Sequence, residues 1–129
     1  MQSSSKRYKK LLKAQRLIKL RDEMQVRILE KEKNKLDEDK LAMYDMLQKL
    51  DKITCDPVII SKALSRNAVS KRQVEQSIAI ETQKFLQSQH RVELLQTKQI
   101  EASRMEERKR VEANIIERVA LQTIKVSFT

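Results

Sequence analysis

His90 and Cys55 are the only histidine and the only cysteine of this chain, so a metal or nucleophilic site would have to be built from them and the carboxylates. A structural zinc site takes four ligands at suitable spacing. A nucleophile takes a base and a group to orient it. The two residues fall in separate expected elements, and neither demand is met. His90 reads as an ordinary surface or seam residue, and Cys55 as a small apolar residue at a bend. A single cysteine excludes an internal disulfide and fits a reducing compartment. With no glycine in the sequence, no familiar phosphate-cradling loop can form. The acids are spaced as solvated helix partners: in "RMEERKR", residues 104–110, Glu106 reaches toward Arg110 and Glu107 toward Arg104. These residues point to a non-enzymatic protein with no metal and no cofactor.

The chemistry the sequence does offer is concentrated charge. The stretch "KRYKKLLKAQRLIKLR" carries Lys6, Arg7, Lys9, Lys10, Lys13, Arg16, Lys19 and Arg21 and no acid. The chain's formal net charge is +10, and residues 1–21 supply eight of those charges. A phosphate backbone would be attracted by such a run. Nucleic acid is nevertheless disfavoured, because there is no aromatic stacking platform and no polar set suited to base edges. A basic amphipathic helix also suits a membrane surface, although Tyr8 is its only aromatic residue. An acid-free, serine-containing start fits an organellar presequence too, but its apolar stripe continues toward Met24 and Ile28 without a break. The plainest reading is a solvated helix end. Docking on an acidic protein surface accounts for both the charge and the stripe.

The elements that would carry these residues are helices. Charged residues make up 36% of the chain, with no tryptophan, two phenylalanines and two tyrosines. Tight turns and aromatic bulk are therefore scarce, while residues that lose little on entering a helix dominate. The expected fold is all-α: an elongated antiparallel two-helix coiled-coil hairpin with a short helical apex, forming one domain over 1–129. The one strong break is "ITCDPVII". Pro57 cannot donate a backbone bond and disfavours helical geometry at Asp56, so Asp56 suits an N-cap with Pro57 at the first helical position. A softer break follows, where Ser70 and Gln73 have capping-box spacing. The spacing predicts a helix over 5–52, an apex with a short helix over 54–69, and a helix over 70–123. Each long helix would reach roughly 70–80 Å.

Leu29, Leu36, Met43 and Leu50 recur every seven residues on the first helix, with Met46, Leu47 and Ile53 near the apex. Upstream, Leu11, Leu17, Ile18, Met24 and Ile28 are expected to continue the stripe with a register drift. On the second helix Ile78, Phe85 and Val92 are seven apart, with Val74, Leu95 and Ala102 on or near their face. Gln99 and Glu106 flaw that seam at continuing heptad positions. A single hairpin and a dimer of hairpins would bury the same stripes, so the spacing leaves the oligomeric state open. No window approaches the 20 or so apolar residues of a transmembrane helix. The N-terminus also lacks the continuous apolar core of a secretory signal. A soluble, intracellular protein is expected.

The basic "KRYKKLLKAQRLIKLRDEM" opening, the "LDKITCDPVIISKALSRN" bend and the charged "EASRMEERKRVEANIIERV" near the end together resemble the FliJ/YscO family. These are coiled-coil stalk proteins of flagellar and type III secretion export, and the likeness is to short variants from alphaproteobacterial flagellar clusters. The resemblance implies an antiparallel two-helix rod whose terminal end sits in or against an export ATPase ring and couples it to the export gate. It implies a cytoplasmic protein, peripheral at most at the membrane-bound apparatus. The eight bases are then the candidate docking residues, with Ile115, Ile116, Val119 and Leu121 as apolar contacts beside them and Asp56 and Pro57 forming the apex. The other readings are a general coiled-coil adaptor or assembly factor, or an electrostatic binder of nucleic acid or anionic membrane.

Overall fold

The computed structural model describes residues 3–49 and 56–128, and all the secondary structure among them is helical. Helix α1 spans Ser4–Gln48 and α2 spans Pro57–Phe128. Cys55 and the expected apical residues 50–55 lie outside the described residues. The described chain forms two compact units: Met1–Leu17 with His90–Thr129, and Ile18–Gln89. Both helices contribute to each unit, and within each the two helices pack against one another.

The start of α2 follows from its sequence. Asp56 Oδ1 accepts the Val58 backbone N–H at 2.9 Å, and the Asp56 carbonyl accepts from the backbone N–H groups of Ile59 and Ile60. Pro57 occupies the first helical position, where its missing N–H is no loss. Two other boundaries differ from expectation. α1 stops at Gln48 rather than near 52. The break expected at 69–70 is absent: α2 runs unbroken through Ser70 and on past 123 to Phe128. Capping chemistry at Ser70 is local, whereas Leu64, Asn67, Lys71 and Val74 keep the packing rhythm of the helix across that point.

That rhythm is a strict alternation of three and four. In the unit Ile18–Gln89, the shielded positions of α1 that carry it are Lys19, Asp22, Val26, Leu29, Lys33, Leu36, Lys40, Met43 and Leu47, with Ile18, Glu23 and Asp37 half-buried beside them. On α2 they include Ile60, Asn67, Val74, Phe85 and Ser88. The partners run antiparallel. Ser88 Oγ donates to the Asp22 carboxylate, Lys71 pairs with Asp37 at 2.7 Å and Lys33 with Glu75 at 3.9 Å. Asn67 Nδ2 donates to the Leu36 carbonyl at 2.9 Å, and its buried Oδ1 has no hydrogen-bond partner among the described residues.

In the other unit the same spacing continues through Ser5, Tyr8, Leu12 and Gln15 of α1 and Val92, Leu95, Gln99, Ala102 and Glu106 of α2. The expected drift of register does not occur. Of the expected stripe, Leu11, Leu17, Met24 and Ile28 are exposed and Ile18 is half-buried next to Lys19, while Gln15, Lys19 and Asp22 hold the seam positions. Among the described residues the buried set is Leu12, Ile60, Val74 and Val92 with Ser5, Asp22, Asn67 and Ser88, half of it polar. Buried polar pairs contribute little net stability but penalise any sliding that would unpair them.

Candidate docking surface

The largest excess of positive charge is at the start of α1. Ser5 closes it onto α2 by donating its backbone N–H to Glu106 Oε1 at 3.0 Å and its hydroxyl to Glu106 Oε2 at 2.6 Å. A carboxylate here also complements the positive end of the α1 dipole. The Ser5 hydroxyl, then its N–H, and further off Ser3 and Lys6, hold the Glu106 carboxyl below the ordinary glutamate range. Sequence reasoning paired Glu106 with Arg110. The structure gives Glu106 to Ser5, and Arg110 pairs with Glu107 at 2.6 Å. Nothing local signals the Ser5 contact, because its partners are far apart in the chain.

A depressed folded-state value means that the Glu106 contact stabilises above the unfolded-state pKa and is lost as pH falls through the folded one. Asp37 behaves alike, lowered first by its hydrogen bond from Lys71. Stability measured by urea titration should therefore fall as pH drops below about 4.3, the ordinary glutamate value. Glu106→Gln should flatten part of that slope. An unchanged slope would mean the clamp is open in solution.

Beside the clamp, Ser4, Tyr8, Lys98, Glu101, Ala102, Met105, Glu106 and Lys109 line a cleft of about 350 Å³. The bases of α1 do not all point one way. Lys6, Arg7, Lys10, Lys13 and Arg21 are exposed at positions facing away from α2, Lys9 and Arg16 are exposed on the flank, and Lys19 is half-buried in the seam.

The apolar residues expected beside these bases lie elsewhere on α2. α1 begins at Ser4, level with Glu106, and α2 runs on with every residue from 107 to 127 exposed. Ile115 lies more than two turns past the clamp. Ile115, Ile116, Val119 and Leu121 are all exposed, and at 3.6 residues per turn Ile115 and Val119 share a side that Leu121 does not. Asp56 and Pro57 form the α2 cap and line no site with these residues. His90 is exposed.

Among the described residues no cluster of His, Cys, Asp or Glu is arranged to hold a metal ion, and no helix is long and apolar enough to cross a membrane. No protein-family model, curated protein or solved structure matches this chain.

Proposed function

We propose that this chain is a non-enzymatic stalk or adaptor of FliJ/YscO type. In this reading α1 and α2 form an antiparallel coiled-coil hairpin whose terminal end docks on an export ATPase ring and couples it to the export gate. One observation carries the reading. The unit formed by the two chain ends combines the acid-free start of α1 with a continuation of α2 whose apolar residues from Val111 to Val126 are exposed. Charge steers an acidic partner to such an end. Aliphatic residues then hold what salt alone would release. The three–four spacing of the shielded residues supports the coiled-coil part of the proposal.

The test is affinity capture from nuclease-treated host lysate, washed at low and then high salt. An export ATPase should remain after the high-salt wash, and it should disappear when the eight bases of residues 6–21 become glutamine. Retention of other partners only points to a general adaptor. Loss of all binding once nucleic acid is digested and salt raised points to a polyanion binder. Either result sinks the stalk.

A further inference from the structure

The back of α1, the side turned away from α2, is amphipathic in its own right. The seam spacing defines three outward positions in every seven. From Lys6 to Lys31 there are twelve of them: seven are Lys or Arg, five are Ala, Leu, Met or Ile, and none is acidic. All twelve are exposed. The acids of this stretch, Asp22, Glu23 and Glu30, stand in the seam or on its flank. The outward face of α2 is different, since Glu93, Glu101 and Glu107 interrupt it. The absence of acid therefore belongs to one face of one helix.

Within that face Leu20, Met24 and Ile28 follow at intervals of four, each a little over half exposed at 52, 53 and 54%. Residues four apart on a helix are neighbours, so the three make a continuous aliphatic strip. Arg21, Arg27 and Lys31 border it, and the remaining bases lie toward the N-terminus. Arg27 leans on Glu23 at 2.7 Å and Arg21 on Asp22 at 3.4 Å. Among the described residues no ion pair is formed by Lys6, Arg7, Lys10, Lys13 or Lys31.

We propose that this outward face of α1 binds the surface of an anionic lipid bilayer, with Leu20, Met24 and Ile28 entering the headgroup boundary and the surrounding bases meeting lipid phosphates. Three properties favour a lipid surface over an acidic protein. The bases are spread along the face, which matches a spread-out field of negative charge better than a single acidic pocket does. The clefts lined by Tyr8 and by Val69 do not include Leu20, Met24 or Ile28. Lys and Arg stems can lie along apolar surface while their charged heads reach outward, as helices lying in a bilayer interface require. The seam remains packed on α2 throughout. This contact shares Lys6, Arg7, Lys10, Lys13 and Arg21 with the docking residues of the proposed function, but it does not depend on that reading.

The experiment is co-sedimentation of the full chain with phosphatidylcholine vesicles, with and without phosphatidylglycerol, at physiological salt. The chain should sediment with the anionic vesicles and not with the neutral ones. A triple Leu20→Gln, Met24→Gln, Ile28→Gln variant should need about tenfold more lipid for the same binding, since aliphatic burial adds to the charge term. It should keep its helical circular dichroism, because none of the three is in the seam. An Ile115→Gln, Val119→Gln control should bind like the parent chain. Three results would overturn the proposal: no binding to anionic vesicles, full binding by the triple variant, or the triple variant losing an acidic helical peptide while vesicle binding is untouched. The last would assign the face to a protein helix. ATPase capture by the triple variant keeps this question apart from the proposed function, because its bases are intact.

Discussion

Ser88→Ala should lower the unfolding free energy by about 1–3 kcal/mol, a large effect for the loss of one oxygen. Ser88 is 2% exposed and Asp22 5%, and the hydroxyl of the first donates to the carboxylate of the second. Removing the donor leaves a buried carboxylate that, among the described residues, keeps the neighbouring Arg21 guanidinium 3.4 Å away to compensate it. Removing both polar partners is a different matter. Asp22→Leu combined with Ser88→Ala should recover most of the loss or exceed it, since an apolar pair needs no hydrogen bonds. Urea titration at neutral pH, read by circular dichroism, measures both. A single-variant effect within about 0.5 kcal/mol, the usual range for surface sites, would mean that water reaches Asp22 and that the pair does not hold the helices in register.

Leu12→Ala and Leu20→Ala should differ sharply although they delete the same atoms. Leu12 is 6% exposed in the seam, whereas Leu20 is 52% exposed on the back of α1. Truncation at Leu12 removes transfer free energy and leaves a gap, costing about 2–4 kcal/mol. At Leu20 the change should stay within about 0.5 kcal/mol. The same urea titration decides the matter. Equal losses at the two sites would mean that α1 packs on α2 through another face.

Part of this arrangement is legible in the sequence. Leu29, Leu36 and Met43, and Ile78, Phe85 and Val92, stand in the seam because a large apolar residue every seven positions has one economical place to go. The α2 start is legible for a different reason, the backbone chemistry of Asp56 and Pro57. Upstream of Leu29 the same logic misleads. Of the apolar residues there, Leu17, Met24 and Ile28 lie on the outer face while Leu12, Ile18 and Val26 are shielded, and following the exposed ones gives a drift of register that α1 does not have. Asp22, Ser88 and Ser5 are invisible to a reading that equates burial with apolarity.

The bases of α1 and the apolar residues expected beside them stand apart within their own unit. The Ser5–Glu106 pair puts Glu106 level with the start of α1, and α2 runs on past it to Phe128. The charge of the candidate site could thus be read from composition, but its apolar neighbours could not be placed without the point at which pairing starts.

The stretch from 107 to 127 has a thermodynamic consequence. A helix of about 20 residues gains little in water from its backbone bonds alone, and here every side chain stays exposed, so burial adds little. Its hydroxyls at Thr123 and Ser127 bond to carbonyls one turn back, which does nothing to tie it to α1. On warming, this segment should lose its turns gradually, while the paired stretches hold until their own cooperative transition. The enthalpy of unfolding is then spread over two events of different sharpness, and no single melting temperature describes the chain.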